Sequence, residues 1–208
     1  LNPWNVVLGL AVFFRARILG ALYFINNINE DDLVKRCRRA LWGNTALFLV
    51  FFLAFVIRTL LADGYAVRPE TGEVFMEPYK YLTNFLQMPV VLLVFLVGVV
   101  AVLWGIIRTL WKPAFDKGIW FAGAGTVLTV LALLLVAGYN NTAYYPSTHD
   151  LQSSLTLANS CSSQFTLKVM AYVSILVPFV LAYIFYAWRS IDNRKIDAKE
   201  MEEGGHAY

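Results

Sequence analysis

Five apolar stretches, each about as long as a bilayer is thick, constrain this 208-residue chain more than any other feature. An α-helix needs about 20 apolar residues to cross a hydrocarbon core of about 30 Å. Strands of a membrane barrel would instead alternate in hydrophobicity over segments of about ten residues. The sequence therefore predicts an all-α, polytopic transmembrane bundle, a single helical region with five spans at about residues 6–25, 41–62, 88–110, 119–137 and 167–188.

The composition supports this fold class and excludes others. Hydrophobic residues make up 59% of the chain and charged residues 15%, whereas soluble globular chains are about 45–50% apolar and about 25% charged. The net charge of +3 is too small to indicate a nucleic-acid partner. The first residues carry neither a methionine nor a basic segment of the kind that opens a signal peptide. We therefore expect this sequence to be part of a longer chain.

Lysine and arginine residues between the spans predict the orientation. Ten lie in the connections after the first and third spans or in the tail, residues 189–208, and two lie in the other connections. Basic residues favour the cytoplasmic side, so we expect a cytoplasmic tail and an external first residue. Cys37 and Cys161 should then lie in connections on opposite sides, without a disulfide between them.

The two longest connections, residues 63–87 and 138–166, should both be external. The first contains a turn or short hairpin around residues 68–73. The second is nearly uncharged and carries too many apolar side chains for a disordered segment. We expect it to fold back over the outer ends of the helices.

The spans lack the side chains on which most membrane chemistry depends. All fourteen acidic residues and both histidines lie outside them. Ion transporters normally carry a carboxylate or histidine near the midplane, and a buried haem needs an axial ligand. Met88 and Met170 lie near span ends, where methionine is more often a packing residue. The pair His149 and Asp150 has no further ligand nearby, so we predict neither a catalytic residue nor a metal site.

Five basic side chains do lie within spans. Arg58, Arg108 and Lys168 are within about one turn of a span end, where long side chains snorkel to the headgroups. Arg15 and Arg17 lie in the middle of the first span and about 200° apart around the helix. A charge at mid-span costs at least about 2.5–3.5 kcal/mol on insertion. We expect both to mark helix or subunit contacts, on nearly opposite faces of the helix.

Short motifs follow one another in the second half of the chain. They are Asp-Lys-Gly-Ile-Trp-Phe-Ala at 116–122, Tyr-Tyr-Pro-Ser-Thr at 144–148, Ser-Ser-Leu-Thr at 153–156, a small polar run at 159–163 and Thr-Leu-Lys-Val-Met at 166–170. The last span then continues through Pro178, where we expect a kink. In this order the motifs resemble subunit II of bacterial cytochrome bd quinol oxidases. The resemblance covers essentially the whole chain, more loosely in its first half.

The resemblance implies a function within a complex. Subunit II of that family has eight transmembrane helices, and this chain looks like the last five. The complex lies in the bacterial cytoplasmic membrane, oxidises quinol and reduces dioxygen to water. Haem b, haem d and the quinol-binding loop belong to subunit I. The resemblance therefore implies that this chain alone binds no haem. It also implies that the chain acts as a scaffold that packs against the haem-bearing subunit I and lipid, and that an apolar groove between its helices holds a structural quinone.

Two other interpretations stay open at this stage. A secondary transporter fragment would suit five spans and a kinked helix, although the spans lack an acidic residue. A non-enzymatic membrane assembly protein would suit the lack of catalytic side chains. The sequence departs from the family in one respect, because the resemblance implies a single mid-span arginine, matched by Arg17, and Arg15 is additional. On that basis we expect Arg17 to point into protein and Arg15 to face a partner subunit or a water-filled crevice.

Overall fold

The computed structural model describes residues 2–191, which form a helical bundle capped at one end by a small hairpin. Four long helices make the bundle: α1 (Pro3–Asn27), α2 (Asp31–Leu61), α4 (Pro89–Trp111) and α5 (Gly118–Gly138). Between α2 and α4 lie β1 (Gly64–Val67), β2 (Val74–Glu77) and the short α3 (Lys80–Gln87). After α5 come a 3-10 turn (Leu151–Ser153), α6 (Gln164–Ser174) and α7 (Val177–Ile191).

Each of the five predicted spans falls on a helix that is long and apolar enough to cross a membrane. The fifth is the pair α6 and α7 taken together, Gln164–Ser190. The all-α polytopic fold class is therefore confirmed. Most of the predicted tail, residues 192–208 with three of its basic side chains, lies outside the described residues.

The second helix begins ten residues before the predicted span, so the basic stretch 35–39 is helical and not a loop. Asp31 and Asp32 occupy its first turn, where carboxylates stabilise the positive end of the helix dipole. The expected loop position of Cys37 was therefore wrong, because this residue lies within α2. Cys37 and Cys161 are both free thiols.

Arg38 fastens this helical extension to the end of α4. Its guanidinium donates hydrogen bonds to the carbonyls of Thr109, Pro113 and Phe115, the Pro113 bond being 2.7 Å long. A helix leaves its last carbonyls without partners inside the helix. Arg38 supplies a donor to one of these carbonyls, that of Thr109, and to two carbonyls of the connection between α4 and α5, so it ties α2 to both.

The last span is interrupted, as predicted from Pro178. The α6 helix ends at Ser174 and α7 starts at Val177. Proline has no N–H and cannot bond to the carbonyl four residues earlier, which here belongs to Ser174. None of the described side chains from 161 to 190 is buried, so this pair of helices adds nothing to the core of the bundle.

The close approach of α4 and α5 depends on glycine. Gly98 lies opposite Gly125, and Gly105 lies opposite Gly118, so that seven residues separate the two contacts on each antiparallel helix. A Cβ atom on Gly125 would lie 2.5 Å from the carbonyl oxygen of Gly98 and 2.7 Å from the backbone nitrogen of Val102. Small residues allow such backbone contact between membrane helices.

The packed core fills one half of the bundle. Its apolar side chains come from the second half of α1, the first half and middle of α2, the second half of α4 and the start of α5. They are Ile18, Ala21, Leu22, Leu41, Phe48, Val102, Ile106 and Ala122. In the other half, toward the hairpin, a cavity separates the helices.

The long connection after α5 folds back onto the hairpin, as expected. The N–H of Val67 in β1 donates to the carbonyl of Asn141 (2.8 Å), and the side chain of Gln152 bonds both backbone groups of Val74 in β2. The predicted hairpin itself is present, with β1 antiparallel to β2. These bonds make the connection part of an ordered cap.

Asn84 on α3 joins this cap to the bundle. Its fully buried amide donates to the carbonyl of Val136 and to the hydroxyl of Thr142, both at 2.9 Å, and accepts a bond from Asn140 at 3.1 Å. All polar atoms of this buried side chain therefore have partners, which is the condition under which a buried amide stabilises a fold.

The glycine contact gives a matched pair of substitutions on one helix. Gly125→Ala should lower the free energy of unfolding by about 1–3 kcal/mol, because the new methyl group would force α4 and α5 apart. Gly123→Ala should have no such cost, since open space surrounds Gly123. The measurement is the thermal unfolding of the purified membrane protein. Equal Tm values for the two variants would contradict the close contact.

Candidate functional site

Arg15 is the buried charge of the bundle. Only 6% of the residue is exposed. Its Nε donates to the hydroxyl of Thr126 at 2.9 Å, and its Nη2 donates to the carbonyl of Ala122 at 2.6 Å and to the same hydroxyl. The guanidinium also lies over the ring of Phe48, 5.5 Å from the centroid. All these partners are neutral, so they accept hydrogen bonds from the guanidinium without neutralising its positive charge.

A cavity of about 200 Å³ adjoins this guanidinium. It lies between α1, α2, α4 and α5, and its walls are almost entirely apolar. Besides Arg15, its polar lining residues are Thr126 and Thr129, whose hydroxyls donate to carbonyls of their own helix at 2.6 and 2.8 Å. Nη1 of Arg15 has no hydrogen-bond partner among the described residues. The site therefore combines an apolar space with one unused donor nitrogen.

Sequence reasoning missed the partners of Arg15. Ala122 and Thr126 lie on one face of α5 four residues apart, and Gly125 and Thr129 repeat that spacing on an adjacent face. Small residues four apart are a signal of a helix contact in membranes. That signal was present in the sequence, but it does not reveal which helix carries the arginine.

Of the two mid-span arginines, the structure places Arg15 in a helix contact within this chain, whereas the placement expected for Arg17 stays a prediction. Arg15, expected to face a partner subunit or crevice, is held within this chain by α5. Arg17, expected to point into protein, has an exposed side chain that contacts the ring of Phe13, 5.7 Å from the centroid. The 200° separation predicted opposite faces correctly. It could not predict which face would meet α5.

The interfacial position expected for the three basic residues near span ends stays a prediction. The exposed Arg58 lies over the Trp4 ring at 5.7 Å. Arg108 is half-buried between the rings of Trp104 and Phe115, at 5.5 and 5.8 Å. Lys168 is exposed on α6. An aromatic partner is typical of side chains at the level of the headgroups.

The pair of His149 and Asp150 belongs to the cap. Asp150 caps the 3-10 turn by accepting bonds from the N–H of Gln152 (3.3 Å) and the hydroxyl of Ser153 (3.1 Å). His149 is exposed. Within residues 2–191 no three potential metal ligands cluster together.

Comparison with known proteins gives a consistent result. The sequence model of the family described as cytochrome bd terminal oxidase subunit II matches residues 1–191. The chain is 29% identical over 220 residues to the cytochrome bd-I ubiquinol oxidase subunit 2 of Escherichia coli K12. It is 24% identical over 221 residues to a probable cytochrome oxidase subunit 2 of Haemophilus influenzae. In both comparisons 100% of this chain aligns with 56% of the relative, so the chain spans about half the length of these relatives.

The contact between Arg15 and Thr126 can be tested by a double-mutant cycle. Thr126→Val should lower the free energy of unfolding by about 1.5–3 kcal/mol, because it removes a hydrogen-bond acceptor from a buried charge. In a protein that already carries Arg15→Met, the same Thr126→Val substitution should cost much less, because no buried charge then loses its acceptor. The measurement is the unfolding of each purified variant by heat or denaturant.

Thr129→Val is the matched control for this cycle. The hydroxyl of Thr129 also donates to a carbonyl of α5, but it accepts no hydrogen bond from Arg15. Its replacement should cost much less than that of Thr126 and should be independent of Arg15→Met. Additive effects of Arg15→Met and Thr126→Val would contradict the contact.

Proposed function

The chain belongs to the cytochrome bd terminal oxidase subunit II family, and on that premise we propose that it serves in a complex that oxidises quinol and reduces dioxygen to water. The observation that carries this proposal is the family match over residues 1–191, which includes all five membrane-length helices. A secondary transporter is not favoured by the family match. The complex would lie in the bacterial cytoplasmic membrane, with the tail of this chain on the cytoplasmic side.

Within that complex we assign this chain a scaffold role. Among residues 2–191 the acidic side chains of the membrane-length helices are Asp31 and Asp32 at the start of α2, and the histidine of this range lies in the outer cap. The family resemblance implies that the redox cofactors, haem b and haem d, are held by the partner, subunit I. The chain alone would bind no haem.

The exposed faces indicate where the scaffold would make its contacts. Large apolar side chains on α6 and α7 are exposed, including Phe165, Tyr172 and Phe179, which are 70% exposed or more. Such continuous apolar surface has to be covered by lipid or by another membrane protein. We propose that subunit I and lipid cover it, and that an apolar groove between helices holds a structural quinone.

The absorbance spectrum tests both parts of the proposal. The purified complex that contains the full-length subunit should show the red band of a chlorin-type haem d on reduction, and it should consume oxygen when quinol is added. The subunit purified without its partner should show less than stoichiometric haem. A complex without haem would overturn the oxidase assignment. A one-to-one haem signal in the subunit alone would overturn the scaffold role.

A further inference from the structure

A basic groove runs between α1 and α2 and shares no lining residue with the cavity beside Arg15. Its volume is about 360 Å³. Two exposed arginines line it, Arg17 from α1 and Arg36 from α2. Asn44 contributes a polar side chain to the wall, and its amide nitrogen donates to the carbonyl of Ala40 at 2.8 Å. The basic groove therefore brings together two positive charges from different helices.

Neither arginine of the basic groove has a carboxylate partner in this chain. Within residues 2–191, no salt bridge includes Arg17 or Arg36. Asp32 lies one turn before Arg36, but its carboxylate pairs with Lys35 at 3.8 Å. Arg17 contacts the ring of Phe13, which carries no negative charge. Like charges repel each other, so an anion between the two arginines would lower the electrostatic energy of the basic groove.

The basic groove lies where α2 changes from charged to apolar. Only three residues separate the end of α1 at Asn27 from the start of α2 at Asp31, so the two helices are antiparallel. At 1.5 Å per residue, Arg36 is about 8 Å and Arg17 about 15 Å from the end at which the helices join. The apolar part of α2 starts at Leu41, also about 15 Å from that end. The basic groove therefore extends down to the level at which the apolar layer begins.

This position and charge fit a phospholipid. Such a lipid carries a phosphate diester and ester carbonyls at the membrane surface, and its acyl chains lie below them. Basic pockets between membrane helices bind anionic headgroups, and a guanidinium matches the oxygens of a phosphate with paired N–H donors. We propose that the basic groove binds an anionic phospholipid, with its phosphate between Arg17 and Arg36.

The surface next to the basic groove favours a lipid over a free phosphate ion. Phe13 lies one turn beyond Arg17 on α1 and is 51% exposed. An acyl chain of the bound lipid covers this ring, whereas a phosphate ion would leave it uncovered. The two arginines also favour an anionic headgroup, because the cation of a zwitterionic headgroup would be repelled.

This site is independent of the proposed oxidase activity, because it rests on α1 and α2 alone. The haem spectrum and the lipid measurement below can therefore fail separately. The site competes with the expectation that Arg17 points into protein, since a protein surface over the basic groove would exclude lipid.

The probe is phosphatidylglycerol, compared with phosphatidylcholine that carries the same acyl chains. Each lipid is titrated into the purified membrane protein, and bound molecules are counted by native mass spectrometry. One phosphatidylglycerol molecule should bind about 25-fold more tightly than phosphatidylcholine, because each arginine contributes about fivefold. Arg17→Gln and Arg36→Gln should each lower this affinity about fivefold. Arg39→Gln should change it far less, because Arg39 is an exposed arginine of the same basic stretch that does not line the basic groove.

A second pair of variants tests the space in the basic groove with both arginines in place. Gly20 lines the basic groove, and a Cβ atom on it would have open space around it. Gly20→Leu should fill this space and abolish the preference for phosphatidylglycerol. Gly9 lies on the same helix with equally open surroundings but outside the basic groove, so Gly9→Leu should keep the preference.

Three results would overturn the proposal. Equal affinity of the two lipids for the parent protein would mean that another surface covers the basic groove. A preference that survives Gly20→Leu, or that Arg39→Gln lowers as much as Arg17→Gln does, would mean that diffuse surface charge attracts the lipid. Displacement of phosphatidylglycerol by an equal concentration of inorganic phosphate would mean that the site binds a phosphate ion and not a lipid.

Discussion

The hydrogen bonds between Arg15 and α5 are the interaction on which the arrangement of the bundle depends. A guanidinium in an apolar interior must find acceptors, and the backbone carbonyls of its own helix are already bonded. The carbonyl of Ala122 and the hydroxyl of Thr126 supply them and so fix the rotation of α5 against α1. The glycine contacts then fix α4 against α5, and Arg38 fastens α2 to the end of α4.

This arrangement divides the bundle into a packed half and an open half. Aliphatic side chains fill the end at which α1 and α2 meet, and Arg15 lies at the boundary. Beyond it the helices surround the cavity, and the cap of hairpin, α3 and long connection lies at that end.

The sequence predicted the elements better than their contacts. Hydropathy was sufficient for the five helices, and Pro178 and the turn residues near Gly72 indicated the kink and the hairpin, because these features depend on local chemistry. The choice between Arg15 and Arg17 depended on which face of α1 meets α5, and no local pattern contains that information. The helical course of residues 31–40 was missed because the segment is charged, although Asp31 and Asp32 are typical of a helix start.

Solid-state NMR on the complex in lipid bilayers would test the Arg15 contact most directly. The protein would carry ¹⁵N in its arginine side chains and ¹³C in its alanine carbonyls. Dipolar dephasing then measures how close Nη2 of Arg15 is to the carbonyl of Ala122, and the structure places 2.6 Å between Nη2 and the carbonyl oxygen. We predict a strongly dephased guanidinium signal that disappears in Arg15→Lys and persists in Arg17→Lys. A dephased signal that survives in Arg15→Lys, or none in the parent protein, would contradict a buried arginine held by α5.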